Sequence, residues 1–213
     1  MIIAVDGPTA SGKGTIARAL AAHFGVPHLD TGLLYRAVGR QVALAGGNPD
    51  DPADALAGTA FADELLADAA LRSETTGALA SRVSVHPEVR AALLARQRAF
   101  AAQPGGAVLD GRDIATVIVP DADAKLFVTA SLAARALRRF AEMRGRGEDV
   151  TRAAIEADLA ARDARDSNRA AAPLRQAPGA DLLDTSAMPV EIAIATAIAL
   201  VERQLARAGR AQA

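Results

Sequence analysis

The chain contains no cysteine, and aromatic residues make up only 3% of its 213 residues. Without cysteine, a disulfide framework, a thiolate metal site and a cysteine nucleophile are all excluded. The low aromatic content argues against a surface that binds single-stranded nucleic acid by stacking its bases. The formal net charge is −1, so the chain as a whole offers no general attraction to nucleic acid or to an anionic membrane.

Long hydrophobic runs are also missing. No apolar stretch is long enough to cross a bilayer, and Glu191 interrupts the alanine-rich segment at 190–201. The first five residues resemble a strand rather than the basic start and long apolar run of a signal peptide. We therefore expect a cytoplasmic monomer with no nucleic-acid and no membrane partner. We also expect the Ala/Arg/Gln-rich end of the chain to fray.

Hydrophobic residues make up 51% of the chain, enough for one domain with a sizeable core. Many are alanines, which remove little apolar area from water, so the core should depend on Leu, Ile and Val. Short apolar runs indicate buried strands at residues 2–5, 26–29, 107–109, 125–128 and 182–183. Helical spacing occurs between them, at residues 15–24, 33–44, 87–100, 132–143, 152–165 and 190–205. This alternation predicts an α/β fold with a parallel sheet flanked by helices.

A glycine-rich loop links the first predicted strand to the first predicted helix. It consists of Gly7, Pro8, Thr9, Ala10, Ser11, Gly12, Lys13, Gly14 and Thr15. Glycines let backbone N–H groups turn inward around an anion, and the helix adds its positive end. In such a P-loop Lys13 binds the β- and γ-phosphates of ATP, and the Thr15 hydroxyl binds Mg²⁺. Gly14 moves that hydroxyl one position along, a variant typical of nucleoside monophosphate kinases. The alternative is an accidental glycine-rich turn.

Two further motifs follow predicted strands. They are Asp30, Thr31 and Gly32 with Tyr35 and Arg36, and then Asp110, Gly111, Arg112 and Asp113. Ligands bind at the carboxyl ends of strands in open α/β sheets, and a guanidinium matches phosphate oxygens in pairs. Arg36 and Arg112 together therefore indicate a phosphate site, although Arg36 alone would fit a surface position. Asp110 either holds a Mg²⁺-bound water or makes a structural hydrogen bond to the loop.

Charged residues also recur at helical spacing near residue 165. Arg162, Arg165, Asp166 and Arg169 stand at i, i+3, i+4 and i+7 and share one helix face. A solvated face with internal Arg–Asp pairs is one interpretation. The other is a lid over the P-loop, because phosphoryl transfer spreads negative charge that mobile arginines stabilise. A charged, glycine-containing loop at 144–150 precedes this helix, and it favours an Arg-rich lid at residues 144–169.

In their order along the chain, these motifs resemble the bacterial cytidylate kinase family over nearly the whole sequence. The motifs are the P-loop; Asp30, Thr31 and Gly32 with Tyr35 and Arg36; Arg90 before Arg96, Gln97 and Arg98; Asp110, Gly111, Arg112 and Asp113; and Arg162 and Asp163 through Asn168 and Arg169, with Pro173 and Leu174. The resemblance implies one P-loop NTPase-type kinase domain at 1–213. It also implies transfer of the γ-phosphoryl group of ATP, with Mg²⁺, to CMP and dCMP in pyrimidine metabolism, giving CDP or dCDP and ADP.

The resemblance further implies roles for single residues on the acceptor side. Arg36 and Arg112 would bind the CMP phosphate, and Ser81, Arg90 and Asp113 the cytosine. Thr31 belongs to the same substrate-binding set. An aspartate accepts from the exocyclic amine of cytosine, whereas uracil would present a carbonyl to it. Ser81 would also fit an ordinary solvated helix position.

On the lid, the resemblance implies that Arg162 and Asp166 contact the sugar and that Arg165 and Arg169 reach phosphates. Arg138 and Arg144 would support the ATP side. The implied catalytic residues are Lys13, Arg112, Arg165 and Arg169. His23, His28 and His86 have no metal-ligand spacing, and we expect them to be structural.

The segment between Arg36 and Ser81 departs from many family members, which carry a small β-hairpin sheet there. Residues 60–70 favour helix or irregular structure instead. We expect a reduced monophosphate-binding insertion at 46–86 and a core at 1–45, 87–143 and 170–213. Two other functions stay open: a kinase for UMP, AMP or a shikimate-like acceptor, and a non-catalytic ATP-dependent switch.

Overall fold

The structure is a computed structural model, and it describes residues 1–211. Five parallel strands form one sheet in the order β2-β3-β1-β4-β5. Their bounds are β1 (Ile2–Asp6), β2 (His28–Asp30), β3 (Ala107–Gly111), β4 (Ala124–Thr129) and β5 (Asp181–Asp184). The predicted α/β fold is therefore confirmed. The expected fraying of the chain end concerns residues that include 212 and 213, which lie outside the described residues.

Eight α-helices connect and flank the strands within residues 1–211. They are α1 (Lys13–Phe24), α2 (Thr31–Leu44), α3 (Pro52–Ala57), α4 (Glu74–Val83), α5 (Pro87–Ala101), α6 (Leu132–Gly145), α7 (Arg152–Asn168) and α8 (Val190–Ala211). Short 3₁₀ turns occupy Asp63–Ala67 and Ala69–Arg72, and a π-helical turn occupies Ile114–Ile118. The side chains of Ser73, Ser131 and Thr151 each accept a backbone N–H and so fix where α4, α6 and α7 begin. No helix of the described residues is both long enough and apolar enough to span a membrane.

The chain divides into two compact units. The first comprises residues 1–29 and the chain from Gln103 onward, and it contains most of the sheet. In this unit β1 is central, with Ile3 and Val5 fully buried, and helices α1 and α8 contribute Ile16 and Val201 to the same core. A strand buried on both faces must be apolar throughout, which is why β1 reads as a continuous hydrophobic run.

The register of the sheet gathers polar residues at one edge. Asp6 and Gly111, the last residues of β1 and β3, lie opposite each other, and Phe127 of β4 lies opposite Asp6 two residues before β4 ends at Thr129. The loop after β1 and the motif at the end of β3 therefore meet at this edge, where α/β proteins bind ligands.

The second unit comprises residues 30–102. Helices α2 and α4 approach closely at Gly39, where an added Cβ would lie 2.7 Å from the Cβ of Leu79. Residues 46–86, all of which the structure describes, contain helices and 3₁₀ turns but no strand. The helical or irregular structure expected at residues 60–70 is present as 3₁₀ turns.

Candidate active site

The loop between β1 and α1 has a backbone that suits an anion. A Cβ on Gly7 would lie 2.0 Å from the carbonyl oxygen of Val128, so any side chain there would collide with β4. Ala10 and Gly12 have positive φ angles of 62° and 89°, and left-handed residues of this kind turn successive N–H groups toward one side. Helix α1 starts at Lys13 and adds its positive end. The loop thus has the geometry of a phosphate cradle.

Asp6 connects this loop to the segment that follows β3. Its two carboxylate oxygens accept the backbone N–H groups of Ile114 and Ala115, each at 2.8 Å. These residues come directly after Arg112 and Asp113. Burial raises the pKa of Asp6 from 3.8 to about 6, although the two hydrogen bonds act in the opposite direction. Asp6 is therefore a buried carboxyl group that titrates close to neutral pH.

Arg112 joins the loop to α7. Its guanidinium donates to the hydroxyl of Thr9 at 2.6 Å and to the carboxylate of Asp166 at 2.8 Å. Burial raises the pKa of Asp166, but the charge and hydrogen bond of Arg112, with the charges of Arg169 and Lys13, hold that pKa below its ordinary value. Asp166 is consequently an anion at neutral pH, and the lysine of the loop contributes to keeping it so.

The other charged residues of α7 have different surroundings. Arg162 is buried, and its Nε lies 2.8 Å from the carboxylate of Asp158, whereas Arg165 is exposed. Helix α7 ends at Asn168, so Arg169 is its C-cap residue rather than part of the helical face. The side chain of Arg169 is 5% exposed and lies 3.8 Å from the carboxylate of Asp113. The structure thus brings Asp113 and Arg169 together with Arg112 and its partners.

The remaining predicted acceptor residues belong to the second unit. Thr31 is the buried first residue of α2. Arg36 donates to two backbone carbonyls, those of Leu71 at 2.7 Å and Ser73 at 2.9 Å. The guanidinium of Arg90 lies 5.4 Å from the ring centroid of Tyr35 and donates to the carbonyl of Ser84 at 3.3 Å. The hydroxyl of Ser84 in turn donates to the carbonyl of Ser81 at 3.1 Å, so Ser84 makes hydrogen bonds with both Arg90 and Ser81.

A magnesium ion would find suitable oxygen atoms at the start of α1. Mg²⁺ keeps several waters and takes one or two protein oxygens beside substrate phosphates. The Thr15 hydroxyl lies in the first turn of α1, and an Oδ2 of Asp110 lies 3.8 Å from the Cβ position of Gly14. The other oxygen of Asp110 lies 2.7 Å from Nε2 of His28. The residues present therefore fit the ion, with Asp110 oriented by a histidine.

The histidines have structural contacts as expected, but His28 also belongs to this site through Asp110. His23 lies 3.1 Å from Glu202 on α8. Nε2 of His86 lies 3.0 Å from the carbonyl of Pro49.

Three residues in contact with the loop or its neighbours were missed by the sequence analysis, namely Asp6, Arg135 and Thr185, and Asp163 was named there only within a motif and given no role. Arg135 pairs with Asp163 and donates to the carbonyl of Thr9. Thr185 donates to the carbonyl of Ser11 at 2.9 Å and accepts from Arg138 at 3.0 Å. Arg138 is thus linked to the loop, whereas Arg144 is exposed and lies 3.7 Å from Asp149.

Only Asp6 carried a usable signal in the sequence. It is a carboxyl residue at the end of a fully apolar strand, immediately before the glycine-rich loop, where burial demands hydrogen-bond partners. Arg135 stands among several arginines of α6, and nothing in the spacing distinguishes it from Arg138 and Arg139. Its partner Asp163 is 28 residues away, so only the fold reveals the pair.

A parallel sheet whose central strand leads through such a loop into a helix defines a P-loop nucleotide-binding protein with an α/β core. The chain matches the model of the cytidylate kinase family over residues 3–203. It is therefore a member of the cytidylate kinase family.

Relatives of known name agree with this membership. The chain is 58% identical to the cytidylate kinase of Xanthobacter autotrophicus over 210 residues, covering 99% of this chain and 100% of the relative. It is 57% identical to that of Methylocella silvestris, covering 95% and 94%. It is 53% identical to that of Rhodopseudomonas palustris (strain HaA2), covering 99% of each chain.

Proposed function

We propose that this protein transfers the γ-phosphoryl group of ATP to CMP, giving CDP and ADP, and that it accepts dCMP as well. The observation that carries the proposal is the position of Arg112. An arginine suited to an acceptor phosphate lies 2.6 Å from Thr9 of the loop that suits the donor phosphates. Membership of the cytidylate kinase family supports CMP as the acceptor, and it does not favour a non-catalytic switch or a kinase for UMP, AMP or a shikimate-like acceptor.

On the donor side, we assign the loop from Gly7 to Thr15 to the phosphates of ATP. Lys13 is the first residue of α1, directly after Gly12 of the loop, and we assign its ammonium group to the β- and γ-phosphates, whose charge it balances. Thr15 would hold Mg²⁺, and Asp110 would hold a water bound to it. A bound Mg²⁺ would supply positive charge against the negative charge that develops on the phosphates.

On the acceptor side, we assign the CMP phosphate to Arg36 and Arg112, and the cytosine to Ser81, Arg90 and Asp113. Asp113 is buried. If its carboxylate faced an acceptor such as the uracil carbonyl, it would lack a hydrogen-bond donor, and the binding of UMP would become less favourable. Selection of cytosine over uracil then follows from the amine that only cytosine presents. Thr31, at the start of α2, completes this set.

Transfer needs no general base in this mechanism, because the attacking phosphate oxygen of CMP is already anionic. Rate enhancement comes from alignment of the two phosphates and from cations that stabilise charge on the migrating group. Arg112, Arg165 and Arg169 join Lys13 in that role. We assign residues 144–169 as a lid whose closure excludes water, which would otherwise accept the phosphoryl group. Arg162 and Asp166 on that lid bind the sugar.

A substrate panel with a coupled ADP assay tests the proposal. We expect turnover with CMP and dCMP and much slower turnover with UMP, AMP and shikimate. Equal rates with CMP and UMP would contradict base recognition by Asp113. Tight ATP binding without CMP binding, measured by calorimetry, would instead identify a switch.

We further propose that the enzyme acts as a cytoplasmic monomer without a nucleic-acid partner. The near-zero net charge of −1 supports the last part of this proposal, since it provides no general attraction to nucleic acid. Sedimentation velocity at several protein concentrations tests the monomer, and a concentration-dependent larger species would contradict it.

A further inference from the structure

Thr9 of the phosphate loop is connected to α7 at two separate atoms. Its hydroxyl accepts from Arg112 at 2.6 Å, and Arg112 also donates to Asp166 at 2.8 Å. Its carbonyl accepts from Arg135 at 3.2 Å, and Arg135 pairs with Asp163 through two nitrogens at 3.1 and 2.5 Å. Two arginines thus connect one loop residue to two carboxylates that stand one helical turn apart.

The two bridges differ in what else they do. Under the proposed function, Arg112 and Asp166 both contact CMP, so their bridge also serves the substrate. Arg135 and Asp163 have no such assignment. All three guanidinium nitrogens of Arg135 donate within the protein, since Nε also reaches the carbonyl of Ala130 at 2.9 Å. The side chain is 6% exposed, so Arg135 acts on the reaction only through the groups it holds.

The shape of the Arg135 guanidinium allows it to bind a carboxylate and a backbone carbonyl at the same time. A planar guanidinium binds a carboxylate with two parallel hydrogen bonds and keeps a further donor for a carbonyl, which an ammonium group cannot reproduce. Helices α6 and α7 also share an apolar cluster of Ala136, Met143, Ile155 and Leu159, against which Ala10 of the loop packs. The cluster supplies adhesion between the helices, and the directional Arg135–Asp163 pair fixes how α7 is oriented toward the loop.

We infer that Arg135, together with Asp163, is a positioning residue for phosphoryl transfer that holds the arginine-bearing helix α7 in register with the carbonyl of Thr9. This inference rests on the proposed function of α7 as a lid. Displacement of α7 by a fraction of an ångström misaligns Arg165 and Arg169 and admits water. Positioning errors of about 1 Å cost as much as a hundredfold in rate.

The test compares two variants with a matched control. Asp163→Asn keeps the shape of the side chain and removes its charge, and Arg135→Lys keeps the charge and removes the planar fork. Glu142→Gln on the same helix α6 is the control, because Glu142 pairs with Arg139 and Arg146 at the surface and touches neither α7 nor the loop in these pairs. Each protein is assayed for CDP formation, for ADP released without CMP, for ATP affinity by calorimetry, and for thermal unfolding.

We expect kcat for CDP to fall about tenfold or more in both variants, while the Kd for ATP changes less than about threefold. The ratio of ATP hydrolysed to CDP formed should rise, and Glu142→Gln should match the wild type throughout. The double variant should lose no more activity than either single variant, since both remove the same bridge. If the Arg135–Asp163 pair only stabilised the fold, the variants would have a lower unfolding temperature but an unchanged ratio of ATP hydrolysed to CDP formed.

Three results overturn the inference: an unchanged hydrolysis ratio and kcat in folded variants, additive losses in the double variant, or failure of both single variants to fold. Failure of the proposed function is a different result, namely no CDP from the wild type. In that case, amide hydrogen exchange of the ATP-bound variants tests the inference separately. Exchange in α7 should be faster in Arg135→Lys than in Glu142→Gln, and equal rates would refute the inference.

Discussion

Replacement of Asp6 by asparagine should change how the stability of the protein depends on pH. The Asp6 side chain is 1% exposed, and its carboxylate accepts hydrogen bonds from the backbone N–H groups of Ile114 and Ala115. Asp113 nearby raises its pKa further, and Arg112 lowers it. Burial is the largest effect, and the pKa rises from 3.8 to about 6.

The size and sign of the effect follow from that shift. A rise of roughly two pKa units corresponds to about 3 kcal/mol between the two protonation states. Between pH 3.8 and 6 the folded protein binds a proton at Asp6 that the unfolded chain has released. This group's contribution to stability is therefore complete below pH 3.8 and is lost as the pH rises through 6.

Urea unfolding of the wild type and Asp6→Asn at several pH values from 4 to 8 measures this contribution. Asparagine does not titrate, so the free energy of unfolding of the variant, relative to the wild type, should rise by about 2.5 kcal/mol between pH 4 and pH 7. Carboxyl groups that do not interact with Asp6 cancel in the difference. A difference that is constant with pH would refute the reasoning, because it would show that the Asp6 carboxyl has an ordinary pKa.

Three further substitutions test the loop and the acceptor site. Lys13→Ala should abolish turnover while the unfolding temperature stays close to that of the wild type, and an unfolded variant would assign Lys13 a structural role. Asp113→Ala should lose the preference for CMP over UMP in the substrate panel while some transfer remains, and an unchanged ratio would count against cytosine recognition. Gly7→Ala should destabilise the fold by more than about 2 kcal/mol in urea unfolding, since its Cβ would meet the carbonyl of Val128. Gly145→Ala is the control, because no atom lies within 4 Å of its Cβ position, and it should leave the free energy of unfolding unchanged.

Local sequence patterns were sufficient to predict the five strands and six of the eight α-helices that residues 1–211 form, but not α3 and α4. The apolar run of β1 and the glycines after it specify strand, loop and helix within fifteen residues, because each element follows from neighbouring side chains. The bounds of two predicted helices needed correction at their ends: α7, expected at 152–165, continues to Asn168, and α8, expected at 190–205, continues to Ala211. Arg169 is therefore the C-cap residue of α7, and its backbone N–H donates to the carbonyl of Arg165.

Contacts between distant residues could not be predicted in this way. The hydrogen bonds of Asp6 reach 108 residues along the chain, and those of His28 reach 82. Neither residue has a spacing that identifies its partner, since pairing depends on strand order and register rather than on local periodicity. His28, the first residue of β2, was expected to be structural, and only the adjacency of β2 and β3 brings it to Asp110.

Asp6 and Asp166 show how surroundings assign different tasks to the same side chain. Both are buried, and burial alone raises the pKa of each. Asp166 faces the guanidinium of Arg112 and stays ionised, so it can hold that arginine through mild acidification. Asp6 has chiefly neutral N–H donors and approaches protonation near pH 6. As the pH falls from neutral, Asp6, which binds the backbone just after Asp113, should therefore be protonated before Asp166, which binds Arg112 from α7. Acid should affect the acceptor side of the site before it affects the contact of Arg112 with α7.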